Sequence, residues 1–310
     1  MGPGAIGSTI AALLYAAGHE VLLCGRTPRE AIEVRVDGRA PIVVPGPVHT
    51  DPDTVAGPVD VVLLAVKDTQ YAASASWLAR LCGPNTVVCA LQNGVEQADR
   101  LRPYCPESAV VPAAIWIAAE TRPEGWVQVL SAPRLVLPDN AAAARLAAAM
   151  AGSGIAVELD PDFLSAAWRK LLVNAVVGFM VLSGRRSGMF RRDDVAALAR
   201  RYLAECLAVA RAEGATLPDG VVDEIADMLK QAPTDMATSM LIDREAHRPL
   251  EWDIRNGVIQ RKGAAHGVPT PISDVLVPLL AAAGDDPRAR FLALGDAMCA
   301  WAIAHPERWT

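Results

Sequence analysis

The chain has 310 residues, 52% of them apolar and 21% charged, with a formal net charge of -6. That composition supports packed cores, with two domains the natural expectation at this length, and excludes a disordered chain; the acidic balance excludes a general basic field for nucleic acid or an anionic membrane. No basic leader with a short apolar run opens the sequence, and the longest apolar stretch, LLVNAVVGFMVL, is shorter than a bilayer span and contains Asn174, so a soluble cytoplasmic protein is expected.

MGPGAIGSTIAALL opens the chain, and Gly2, Gly4 and Gly7 spell G-x-G-x-x-G, the glycine pattern of a dinucleotide-binding turn. Such glycines permit a tight turn, let backbone amides approach a pyrophosphate and allow close helix packing. The helix that follows, STIAALLYAAG with its start near Ser8, points its positive end at the phosphates. Gly2, Gly4, Ala5, Ile6 and Gly7 are therefore the candidate cofactor contacts. The turn normally ends a buried strand, and only Met1 stands in that place, so a misplaced start codon or a truncated chain is the expectation.

HEVLLCGR then reads as a buried strand, and its end selects the cofactor. An acidic side chain there would bind a ribose 2′-hydroxyl, whereas Arg26, with Arg29 nearby, suits a 2′-phosphate, so NADP(H) is favoured over NAD(H). IEVRVDGRAPIVV reads as a hairpin turning at Asp37-Gly38. PVDVVLLAVK is a strand, TQYAASASWLARLCG a helix and NTVVCALQNG a strand ending in a polar turn. AAIWIAAE, WVQVL, RLVLPD and IAVELD extend the strand set, with AAAARLAAAMAG a helix between the last two. This alternation builds a parallel sheet with helices on both faces.

From Pro161 the pattern is helical to the end, which places the boundary near residue 160: a Rossmann-type dinucleotide-binding domain over 1–160, then an all-helical domain over 161–310. In WRKLLVNAVVG, residues Lys170, Asn174 and Gly178 lie four apart, on one face of a continuous helix. Farther on, TSMLIDREAHRPLEWDIRNG brings Ser239, Asp243, Glu251, Asp253 and Asn256 near and within two helices. Each taken singly reads first as a solvated helix face or a cap. The six cysteines, Cys24, Cys82, Cys89, Cys105, Cys206 and Cys299, lack C-x-x-C spacing and sit in apolar stretches, so they read as small buried hydrophobes. His19, His49, His247, His266 and His305 show no metal-ligand spacing, and no metal is expected. The tail FLALGDAMCAWAIA forms an apolar helix that either packs on its own domain or contributes to a homodimer.

Several of these motifs, in this order and at these separations, resemble ketopantoate reductases, also called 2-dehydropantoate 2-reductases. The resemblance rests on GPGAIG, AVK with Lys67, LQNG with Asn93, WRKLLVN with Lys170 and Asn174, S-M-L-x-D, and E-x-D-x-x-N-G from Glu251 to Gly257. It implies a Rossmann domain and a helical domain, with NADPH and a 2-oxo acid meeting in the cleft between them. It also implies roles: Lys170 as the general acid for the carbonyl oxygen, Glu251 as its partner and a contact to the substrate hydroxyl, and Asn174 and Ser239 as substrate contacts. Asn93 falls at the junction of nicotinamide and substrate, Lys67 on the cofactor side, and Asp243 among the substrate positions.

Independently of the family, hydride attack on a ketone puts negative charge on oxygen, which a positioned lysine can offset and protonate. Two departures bear on the substrate. Gly178 stands where the family commonly has a second asparagine, and Arg186-Ser187-Gly188 replaces a Pro-Asn-Gly turn; Arg185 and Arg186 either bind an extra anionic group or sit exposed. Two alternatives stay open: another β-hydroxyacid dehydrogenase, or a non-catalytic NADP(H)-binding sensor.

Overall fold

The computed structural model describes residues 1–285, so the tail FLALGDAMCAWAIA, Cys299 and His305 lie outside the described residues. The chain divides into two compact units, Met1–Ala167 and a second beginning at Trp168.

The first unit opens with α1 (Ala5–Ala16), which starts a turn earlier than Ser8 and buries Ile10, Leu13 and Leu14. The segment HEVLLCGR, expected to be a strand, forms only an isolated parallel bridge between Cys24 and His49. Its backbone makes few bonds to other segments: Gly2 N donates to Cys24 O at 2.8 Å, Gly25 N to His49 O at 2.9 Å and His49 N to Leu23 O at 2.8 Å. A strand needs a ladder, and apolar residues alone do not supply one. The expected hairpin is present: β1 (Ala31–Val36) and β2 (Ile42–Pro45) pair antiparallel, from Ala31 opposite Pro45 to Val34 opposite Ile42.

Then come β3 (Val61–Leu64), α2 (Ala75–Leu81), β4 (Val87–Ala90), α3 (Gln97–Leu101) and β5 (Ala109–Pro112). Strands β3, β4 and β5 form a parallel sheet in that order, and β4 is buried at every position, as a central parallel strand must be. The remaining elements are β6 (Ala114–Trp116), β7 (Ala119–Thr121), β8 (Val127–Val129), β9 (Arg134–Pro138), α4 (Ala141–Ala149) and β10 (Ala156–Asp160). They complete two mixed sheets, β10-β9-β6 and β2-β1-β8-β7, so the sheet is not parallel throughout. Ile10 and Leu13 of α1 and Leu146 of α4 pack with Val87, Cys89, Val111, Leu135 and Leu137 in one apolar core.

Helices make up the second unit. Here α5 (Phe163–Val176), which begins in the first unit, is followed by α6 (Gly178–Ser183), α7 (Asp193–Ala212), α8 (Val221–Gln231), α9 (Ser239–Glu245), α10 (Val258–His266) and α11 (Pro271–Gly284). A π turn over Asp253–Gly257 leads into α10. The continuous helix expected through Gly178 is broken at Val177, so Lys170 and Asn174 share α5 whereas Gly178 opens α6. At the break, the Asn256 amide donates to Ala175 O at 2.9 Å, a side chain inserted into the helical ladder.

The stretch Phe163–Ser183 is long and apolar enough to cross a membrane, yet 67% of its apolar window is buried inside the protein, as in a core helix. At the start of α11, the buried Glu205 carboxylate accepts from the Ile272 and Ser273 amides, both at 2.8 Å, and from the Ser273 hydroxyl at 2.6 Å. Among the described cysteines Cys24, Cys89, Cys105 and Cys206 are buried, Cys82 is half-buried, and all five are free.

Candidate active site

In the first unit the glycine turn is assembled by sterics. Gly2 has φ +80°, and a Cβ on it would meet the Val66 amide at 2.9 Å. Any side-chain atom on Gly7 would run into the Gly2 carbonyl oxygen. Gly4 differs: nothing lies within 4 Å of where its Cβ would stand. It is exposed and serves as the N-cap of α1 without a side-chain cap. The first-turn amides of Ala5, Ile6 and Gly7 therefore have no partner within the helix, and they carry its positive end. An open face, a tight turn and uncapped amides suit a pyrophosphate, so these residues fit the dinucleotide that the fold implies.

Two more loops meet this turn at the carboxyl ends of β3 and β4. Gly2 lies against Val66, next to Lys67. Gln92, next to Asn93, donates from Nε2 to Leu64 O at 2.8 Å and to Val66 O at 2.7 Å. Lys67 and Asn93 are thus held near the glycine turn by their neighbours, and both are half-buried. Met1 joins the edge of β3, its amino group donating to Leu63 O at 2.9 Å and its carbonyl accepting from Ala65 N at 3.0 Å. Burial pulls that amino group below its ordinary pKa. Gly25 packs on Pro3 of the turn, which leaves the exposed Arg26 one residue farther on.

In the second unit a cluster forms around a residue that sequence reasoning did not single out. Arg255, 3% exposed, donates from Nη2 to the Ser239 hydroxyl at 2.9 Å and stands 3.5 Å from Glu251 Oε2. Lys170 on α5 is within its field. Burial first, and the Arg255 charge second, lower the lysine pKa from 10.5 to about 7. A general acid working at neutral pH needs a value in that range. Asn174 follows Lys170 by one turn, half-buried. Asp243 is buried, 3.5 Å from Arg248. Arg186 is paired on the surface with Glu245 at 2.9 Å, and Ser187 and Gly188 bond to the backbone of Met236 and Thr234, so this turn is engaged in packing.

Arg255 had one legible signal: it lies four residues after Glu251, the spacing at which a glutamate and an arginine meet on one helical face. Among the described residues no group of three His, Cys, Asp or Glu side chains is placed to hold a metal ion.

The family profile of ketopantoate reductase PanE/ApbA matches residues 1–141, and that of its C-terminal part matches residues 162–283. The chain belongs to the ketopantoate reductase family. A 2-dehydropantoate 2-reductase of Mycobacterium tuberculosis is 66% identical over 287 residues, 93% of this chain and 97% of that protein. Among solved structures, a PanE/ApbA family ketopantoate reductase from Ralstonia eutropha JMP134 has a TM-score of 0.84 at 33% identity, covering 92% of this chain and 97% of that one. A dimeric ketopantoate reductase from Staphylococcus aureus has a TM-score of 0.83 at 28% identity over the same shares. This ketopantoate reductase family member is therefore an oxidoreductase with a dinucleotide-binding fold, the α/β unit followed by helices that the sequence led one to expect.

Proposed function

We propose that the protein reduces 2-dehydropantoate, or a closely related 2-oxo acid, with NADPH. The observation that carries this reading is the cluster in the second unit: a lysine with its pKa brought to about 7, beside an arginine that joins a serine hydroxyl and a glutamate. When bound, the dinucleotide would supply a hydride for the carbonyl carbon. Lys170 then gives its proton to the carbonyl oxygen, and its positive charge favours the developing alkoxide. Ser239 and Asn174 bind substrate oxygens without adding net charge, and Asn93 and Asp243 complete the substrate contacts. Glu251 holds the cationic groups in place and contacts the substrate hydroxyl. On the cofactor side Gly2, Gly4, Ala5, Ile6 and Gly7 receive the pyrophosphate, Lys67 binds alongside it, and Arg26 takes the 2′-phosphate that distinguishes NADPH.

The same reading makes residues 1–160 the dinucleotide domain and 161–310 the substrate and catalytic domain of a soluble, cytoplasmic enzyme. A homodimer is its assembly, as for the Staphylococcus aureus relative, and light scattering of the purified chain tests that.

The decisive assay follows absorbance at 340 nm with NADPH and ketopantoate, beside a fluorescence titration of NADPH alone. Saturable oxidation supports the reading. Binding without turnover on ketopantoate or any other 2-oxo acid would leave a sensor, and oxidation of NADH in preference to NADPH would remove the role of Arg26.

A further inference from the structure

Arginine in a nearly dry interior is costly unless its donors are used. Arg255 is 3% exposed, and it spends Nη2 on two residues from different segments: Ser239 at the start of α9, 2.9 Å away, and Glu251 before the π turn, 3.5 Å away. Its Nε is buried and has no hydrogen-bond partner. A residue kept only to stabilise the fold would have that donor satisfied, or would be replaced by an apolar side chain at no loss. Both residues it holds are ones to which the proposed function gives a contact with substrate.

We propose that Arg255 is a positioning residue of the reduction: its guanidinium fixes the Ser239 hydroxyl and the Glu251 carboxylate in one orientation, and its charge adds to the field that Lys170 meets. The proposal rests on the reductase reading above.

The other charged groups on the surrounding elements have partners of their own. Asp243 of α9 faces Arg248, Asp253 of the π turn pairs with Arg261, Glu205 of α7 caps α11, and Glu224 of α8 pairs with Arg169. Beside burial, the Arg255 charge acts on Lys170 and disfavours its protonated form. Glu251 is held by the arginine, so one residue orients that carboxylate and, after burial, bears on the charge of Lys170.

The test compares wild type, Arg255→Met and Arg255→Lys by NADPH oxidation with ketopantoate across the neutral and alkaline range, with thermal midpoints and NADPH binding measured for each. In Arg255→Met the alkaline limb of kcat/KM, where Lys170 loses its proton, moves up by roughly one pH unit, and KM rises about 10-fold or more. Arg255→Lys keeps the charge but loses the rigid planar group that places Nη2 between Ser239 and Glu251, so the limb stays while KM still rises. Should Arg255→Met fail to fold, Arg255→Lys carries the test through KM alone. A folded Arg255→Met with wild-type KM and an unmoved limb, or Arg255→Lys with wild-type KM, would overturn the proposal. Wild type inactive on every 2-oxo acid would instead overturn the reductase reading itself.

Discussion

A Cβ on Gly178 would stand 3.0 Å from Nδ2 and 3.3 Å from Oδ1 of Asn256. Asn256 is fully buried and cannot easily yield, because its amide donates to Ala175 O at 2.9 Å and to the Tyr202 hydroxyl at 3.1 Å. The space that a second asparagine would use is therefore already filled from the π turn. Gly178→Asn, which restores the residue common in the family, should lower stability by about 1–3 kcal/mol through overpacking. The thermal midpoint would fall by several degrees, and an unchanged midpoint would show that Asn256 can swing aside.

Lys170→Ala should reduce kcat by about 100- to 10,000-fold while NADPH binding, followed by fluorescence, stays as in wild type. Retained turnover would remove Lys170 as the acid.

Stability should respond to the same lysine in the opposite sense. Its pKa in the folded chain is about 7 against an ordinary 10.5, so between those values the unfolded chain binds more protons and stability rises with pH. Below about 7 the burial penalty is present in full. Lys170→Met should therefore stabilise the protein most in neutral and mildly acidic buffer, with the gain fading as pH approaches 10.5. Denaturant midpoints at both ends of the window measure this, and a gain independent of pH would point to packing.

Gly4 and Gly7 should separate ligand binding from folding. Gly4→Ala places a methyl group in open space at ordinary backbone angles, so the thermal midpoint should hold while NADPH affinity falls about 10-fold or more, from loss of close backbone approach. Gly7→Ala meets the Gly2 carbonyl and should destabilise the first unit outright. Equal NADPH affinity in Gly4→Ala and wild type would place the pyrophosphate elsewhere.

Glu213 accepts from Lys262 at 2.5 Å and from His266 at 2.6 Å. Burial raises its pKa, but the two hydrogen bonds outweigh that, and the carboxyl lies below its ordinary 4.5. A depressed carboxyl contributes stability that is complete above the unfolded value and is lost as pH falls through the folded one. Glu213→Gln should cost about 1 kcal/mol at neutral pH, and the difference from wild type should vanish in strong acid. Melting curves over an acid series decide it.

Much of this architecture is legible in the sequence because it rests on local patterns. The Asp37-Gly38 hairpin, the alternation from β3 to β10 and the amphipathic run of α7 all follow from spacing of apolar residues. HEVLLCGR does not fold as read, since strand formation depends on partners elsewhere in the chain, and here they supply one isolated bridge rather than a ladder. The division of α5 from α6 was hidden for a related reason: its cause, Asn256, lies 81 residues from the carbonyl it takes. Arg255 falls at a variable position of E-x-D-x-x-N-G, so motif matching passes over it, and only contact with Ser239, 16 residues away, exposes it.

The π turn at Asp253–Gly257 fixes the length of its own segment. A π turn holds one residue more than an α-helical turn, and here it presents Arg255 to Glu251 while the adjacent Asn256 reaches Ala175. Excising a single residue from it would leave a well-formed α-helix but rotate everything downstream against Glu251 by about 100°. Helicity would survive such a deletion, whereas the ion pair and the amide-to-carbonyl bond could not both be kept. The spacing between Glu251 and Asn256 is in this sense as much a part of the site as the side chains, and insertions or deletions there should be poorly tolerated.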